Sequence, residues 1–152
     1  MDTSLAIENQ ITKAAMSNMM LATEPYRFLI VEDDMGQWPL WENIIRSNFP
    51  NAHIDWETSE AGAEGLLRHS FHSENPYDLV ISDVFLDGDD TGIDLWSRYG
   101  EASDRFIFVS SMSLSNFDAL VHSTRNSTDN LPFYLQKPLQ VQHCKEVIQA
   151  LL

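Results

Sequence analysis

From Arg27 to the end of the chain, short apolar runs alternate with longer segments whose apolar residues recur at helical spacing. This alternation limits the fold more than any other feature of the sequence. Residues 27–31 read Arg-Phe-Leu-Ile-Val, a nearly continuous apolar run of the kind expected for a strand covered on both faces. Trp38, Trp41, Ile44, Ile45 and Phe49 then share a helical face, and Pro50 and Asn51 end that helix. His53 to Trp56 is a weaker strand. Ser59 or Glu60 opens a helix bearing Leu66 and Leu67, closed by Asn75 and Pro76. Tyr77 to Ser82 is a third strand ending at Asp83, followed by a Gly- and Asp-rich loop to Gly92. Ile93, Leu95 and Trp96 start a third helix, and Arg105 to Val109 is the fourth strand. Leu114, Phe117, Leu120 and Val121 mark a fourth helix, and residues 123–130 form a polar loop. Leu131 to Gln136 is a fifth strand, and Val141, Cys144, Val147, Ile148 and Leu151 share the face of a last helix. Five strands each followed by a helix predict an α/β fold, a doubly wound five-stranded parallel sheet with helices on both faces.

Residues 1–24 stand apart as an N-terminal extension, with residues 25–152 as the domain. Ile7, Ile11, Ala14, Ala15 and Met19 recur at helical spacing until Pro25 breaks the pattern. A helix is predicted there, either lying on the domain or serving in docking or dimerisation.

The 152-residue length suits one domain with its own core. A net charge of −14 argues against direct nucleic-acid binding and for a neutral or basic protein partner. One cysteine, Cys144, rules out an internal disulfide. The start lacks the pattern of a secretory signal, and no apolar run approaches the roughly 20 residues of a membrane span. A cytoplasmic location is the expectation.

In open parallel sheets, chemistry collects beyond the carboxyl ends of the strands. Those tips carry Glu32, Asp33 and Asp34 after strand one, Asp83 after strand three, Ser110 and Ser111 after strand four, and Lys137 after strand five. Taken singly, an acidic run is usually a solvated turn, a lone Asp a turn residue and a Ser a helix cap. Together, carboxylates from two strands converge beside an ammonium and a hydroxyl. Converging carboxylates repel one another and call for a counter-cation. Oxygen-only donors favour a hard ion such as Mg²⁺. An aspartate beside such an ion and a lysine is a nucleophile suited to accepting a phosphoryl group.

Four motifs closely resemble the receiver domain of bacterial two-component response regulators, a flavodoxin-like fold. They are Phe28-Leu-Ile-Val-Glu32-Asp33-Asp34, Asp78-Leu-Val-Ile-Ser-Asp83-Val-Phe-Leu-Asp-Gly88, Phe106-Ile-Phe-Val-Ser110-Ser111 and Tyr134-Leu-Gln-Lys137-Pro138. The resemblance implies Asp83 as phosphoacceptor, with Lys137 and Ser110 assisting. It implies a Mg²⁺ or Mn²⁺ site of Asp33, Glu32 through water, Asp83 and the backbone carbonyl of Phe85. Ser110 and Tyr134 would form the conformational switch, and the bond to Pro138 would be cis. The implied partners are a histidine kinase or phosphotransfer protein as donor and a downstream effector on the helix-four, strand-five, helix-five face. A homodimer is a further implied partnership.

Three features depart from the family pattern. Asp87 stands where Pro is frequent, the loop from Gly88 to Gly92 is one residue longer than the family pattern, and the stretch before strand three, around His69 and His72, is also longer than usual. Phe85 and Met112 occupy the two positions that tune phosphoryl lifetime in the family, and both are apolar here, which points to slow loss. His69 and His72 read as a solvated helix end, Cys144 as core, and Trp38 and Trp41 as helix packing near the site, with the pocket mouth as the alternative place for Trp38. The resulting expectation is a phosphorylation-activated switch rather than an enzyme with turnover. The alternative is a pseudo-receiver that binds partners without being phosphorylated. A phosphoaspartyl hydrolase would need an acid where Phe85 stands.

Overall fold

A computed structural model describes residues 10, 25–86, 91–100, 105–124 and 131–152. The strands are β1 (Arg27–Val31), β2 (His53–Glu57), β3 (Leu79–Asp83), β4 (Phe106–Ser110) and β5 (Phe133–Gln136). The helices are α1 (Trp38–Asn48), α2 (Glu60–His72), α3 (Gly92–Tyr99), α4 (Leu114–Thr124) and α5 (Val141–Leu151), with a 3₁₀ turn at Met35–Gln37. All pairings are parallel, in the order β2-β1-β3-β4-β5. The fold class read from the sequence is therefore the one observed. Of the N-terminal extension, only Gln10 is described, as an exposed helical residue; the rest of 1–24 and residues 87–90, 101–104 and 125–130 lie outside the described residues.

Side-chain alternation along the strands sorts the core into two layers. Leu29, Val31, Val80 and Phe108 face α2, α3 and α4 with Ala63, Leu67, Ile93, Trp96 and Phe117. Phe28, Ile30, Ile81 and Ile107 face α1 and α5 with Trp41, Ile44, Cys144 and Ile148. β3 and β4 are buried at every residue, as their apolar runs require.

Three strand starts fall later than the pattern predicts. β3 begins at Leu79 because Tyr77 and Asp78 serve β1 and β2 instead. The Asp78 carboxylate accepts from the Arg27 backbone N–H at 2.7 Å, and the Tyr77 hydroxyl donates to Asp55 at 2.6 Å. β5 begins at Phe133, directly after Pro132, and β4 begins one residue on, at Phe106. The starts of α2 and α3 follow capping chemistry. Ser59 accepts from the Gly62 N–H, and Thr91 with Asp94 forms a reciprocal capping box.

Candidate functional site

The parallel register carries the tips of β1, β3 and β4 to one edge, since Val31 lies beside Ser82 and Asp83 beside Val109. Glu32, Asp33 and Asp83 come together there, each offering a carboxylate oxygen within 4.8 Å of the others. Glu32 and Asp83 are 3% and 9% exposed, so two carboxylates are drawn out of water side by side. Lys137, half-buried at the tip of β5, reaches across. Its Nζ lies 3.0 Å from Asp83 Oδ2 and 3.9 Å from Glu32 Oε2.

One ammonium does not balance three carboxylates. Burial pushes Glu32 up from its ordinary 4.5 to about 7; the Asp34 N–H lowers it, Asp83 raises it further and Lys137 offsets part of this. Burial works against the charge on Lys137 too, yet its hydrogen bond to Asp83 and the charges of Asp83, Glu32 and Asp33 hold it above its ordinary value. The site is short of positive charge. The donor set is all oxygen, so the residues fit a hard divalent cation of the Mg²⁺ or Mn²⁺ class.

Asp34 is exposed and points elsewhere. Its carboxylate caps the 3₁₀ turn by accepting from Gly36, and its N–H donates to Glu32 at 3.1 Å. The β1 tip is thereby shaped so that Glu32 turns inward.

Ser110 is buried, and its Oγ accepts from the Met112 N–H at 3.2 Å, while Ser111 is exposed. Tyr134 stacks on Phe117 at 4.2 Å between ring centres. Its hydroxyl donates to the carbonyls of Met112 at 2.6 Å and Ser110 at 3.1 Å. Burial raises the Tyr134 hydroxyl's pKa, the Ser110 contact lowers it and the Asp83 charge raises it. Tyr134 thus grips the end of β4 and the loop that follows it. The Lys137–Pro138 peptide bond is cis.

Other sequence candidates fall as follows. Phe85 is 58% exposed beside the acceptor, whereas Met112 packs on the core next to Tyr134. Trp38 stacks at 5.0 Å on Trp56 of β2, away from the acceptor strand. His69 and His72 are exposed in the last turn of α2, and Cys144 is buried with its thiol pushed up by burial. Among the described residues, only Glu32, Asp33 and Asp83 form a group able to hold a metal.

Sequence reasoning assigns no role to Gly92, yet the structure gives it one. A Cβ there would lie 2.3 Å from the Asp83 carbonyl oxygen and 2.6 Å from Ser82 Oγ. Its N–H donates to Val84 at 2.9 Å. The start of α3 packs directly beneath the acceptor, and only a residue without a side chain fits. A glycine at the first turn of a predicted helix was the available signal.

No family model matches the sequence, and no relative is found among curated proteins. Solved structures are similar in shape. A two-component response regulator from Clostridium difficile superposes with a TM-score of 0.65 at 16% identity, covering 83% of this chain and 94% of that one. The phosphorylated cyanobacterial phytochrome response regulator RcpA gives 0.62 at 11% identity, covering 83% and 90%. The Mn²⁺-bound form of response regulator Rcp1 gives 0.60 at 15% identity, covering 83% and 91%. At such identities the likeness speaks to the fold: this chain folds as a response-regulator receiver domain.

Proposed function

We propose that this chain is a phosphorylation-driven signalling switch whose acceptor is Asp83. The observation that carries the reading is the cluster of Glu32, Asp33 and Asp83, two of them buried, with Lys137 Nζ 3.0 Å from Asp83. A carboxylate oxygen of Asp83 attacks the phosphorus of a phosphohistidine on a kinase or phosphotransfer protein. The new O–P bond forms as the P–N bond breaks, and the electron pair leaves on the imidazole nitrogen. No general base is required, because the attacking oxygen bears no proton.

Lys137 offers its ammonium to a phosphoryl oxygen while still paired with Asp83. Ser110, once released from the Met112 N–H, donates its hydroxyl to another. Glu32, Asp33, Asp83 and the Phe85 carbonyl would hold Mg²⁺ or Mn²⁺, whose charge neutralises the transferring phosphoryl group. The added charge of roughly −1.5 to −2 then favours Ser110 closing on the phosphoryl group. That movement pulls on the two carbonyls held by Tyr134 and so reaches the α4–β5–α5 face, where an effector protein reads the state.

The test is intact mass after incubation with Mg²⁺ and acetyl phosphate. A gain of one phosphoryl group, absent in Asp83→Ala, is expected. No gain from either acetyl phosphate or phosphorylated kinases would leave a binding module instead.

A further inference from the structure

One face of α2 continues past the core that it covers. Ala63, Leu67 and Phe71 recur every fourth residue and so share a side of this helix. Ala63 and Leu67 are wholly buried, but Phe71 is 59% exposed. Its ring meets His72 edge to face at 5.7 Å. Phe71 belongs to the last turn of α2, in the stretch that is longer than the family pattern. A large aromatic on a core-facing stripe is there left without a core beneath it.

The chain enters the domain at this same edge. α2 starts after the tip of β2 and runs back to the amino edge of the sheet, where β1 begins. The Asn75 N–H donates to the Ser70 carbonyl at 3.2 Å, and the Arg27 guanidinium donates to the Asn75 carbonyl. Pro25, Arg27, His53 and Asn75 line an open groove of about 500 Å³. Tyr26 fixes the point of entry. Its ring packs edge-on against Phe49 at 5.0 Å, and its carbonyl accepts from the His53 N–H at 2.9 Å. Residues 1–24 therefore set out from the groove itself.

Pattern and length select the occupant. Ile7, Ile11, Ala14, Ala15 and Met19 mark an apolar face that calls for a partner surface, and Gln10 is helical and exposed. A helix from Ile7 to Met19 is about 20 Å long. Residues 20–24 span up to about 17 Å. Phe71 stands four residues before Asn75, which lines the groove with Pro25, so this tether is long enough.

We propose that residues 1–24 fold back over the amino edge of their own domain, with the face of Ile7, Ile11 and Ala14 covering Phe71 and the tether filling the groove at Pro25. The contact lies at the opposite edge from Asp83, so it leaves the acceptor site and the α4–β5–α5 face open. The longer end of α2 and the N-terminal extension thereby complement each other.

Trypsin tests this on the full chain, because Lys13 is the one basic residue in 1–24. The bond after Lys13 is expected to be cut at least tenfold more slowly in the wild type than in Ile11→Asp, at a rate independent of protein concentration. Phe71→Asp should raise the rate at least tenfold as well. The double variant should be cut no faster than either single one, because both remove the same contact. Leu114→Asp, at a site 57% exposed on the other edge, should leave the rate unchanged. Circular dichroism of each variant verifies folding. A wild-type chain cut after Lys13 as fast as Ile11→Asp overturns the proposal. So does protection that Phe71→Asp leaves intact, which would place the extension elsewhere. Protection that grows with protein concentration also overturns it, because the cover would then be a second copy's extension.

Discussion

The two ends of the sheet both hold polar groups at strand tips, but they treat them in opposite ways. At the amino end, each group has a complementary partner. The Arg27 guanidinium lies 4.6 Å over the Tyr77 ring and donates to the Asn75 carbonyl. The Tyr77 hydroxyl donates to Asp55, which also pairs with His53 at 3.0 Å. Burial and the Asp55 carboxylate push the Tyr77 hydroxyl well above its ordinary value, so it stays a protonated donor at any working pH. At the carboxyl end, Glu32, Asp33 and Asp83 crowd around one ammonium, and Glu32 is driven to about 7. One end is electrostatically settled and holds the strands in register. The other is left short of positive charge. A protein keeps such a deficit where a cation or a reaction is to resolve it.

Removing the acceptor's ammonium should have the largest effect. Lys137→Ala is expected to slow adduct formation from acetyl phosphate by roughly a hundredfold, the scale of losing one electrostatic stabiliser. The amino end should be indifferent. Tyr77→Phe should leave the adduct rate unchanged and lower stability by about 1–2 kcal/mol, measured by urea unfolding, because Asp55 loses its buried donor. Equal losses of activity from both variants would erase the distinction between the two ends.

Stability should also depend on pH through the carboxyl end. Glu32 binds its proton more tightly folded than unfolded. Its protonated form is therefore favoured in the fold, and stability is lost as pH rises from 4.5 to about 7. At about 1.4 kcal/mol per unit, the loss is on the order of 3 kcal/mol without divalent metal. Urea unfolding in chelator at pH 5 and pH 8 measures it, and Glu32→Gln should flatten the dependence. Mg²⁺ must displace that proton, so its affinity should tighten about fivefold between pH 6 and pH 7. The Trp38–Trp56 pair provides a fluorescence readout.

The smallest effects concern phosphoryl lifetime. Phe85 is exposed beside the acceptor, so Phe85→Asn should admit water and shorten the lifetime several-fold. Met112 is packed on the core, so Met112→Glu should change the lifetime less and stability more. Decay of the adduct followed by mass distinguishes the two.

What the sequence revealed and what it hid follow from range. The strands and helices are local patterns, and the acidic tips, Ser110 and Lys137 are visible because parallel topology sends every tip to one edge. Contacts that depend on distant pairing are not visible. Arg27, Asp55 and Tyr77 form one cluster only because β1, β2 and the approach to β3 lie together. Gly92 gains its role from Asp83, which is brought beneath it by the turn into α3. Tyr134 could be read as an aromatic on a strand, but its two carbonyl partners lie at the end of β4 and in the loop after it. The charge deficit itself depends on burial, which a residue list does not contain.

The most direct measurement locates the phosphoryl group chemically. After reaction with Mg²⁺ and acetyl phosphate, borohydride reduces an aspartyl phosphate to homoserine, and peptide mass spectrometry reads the position. Homoserine at residue 83, and at no other aspartate, is the expected result. An unaltered Asp83 with homoserine elsewhere, or none from any donor, would contradict the assignment of Asp83 as the acceptor.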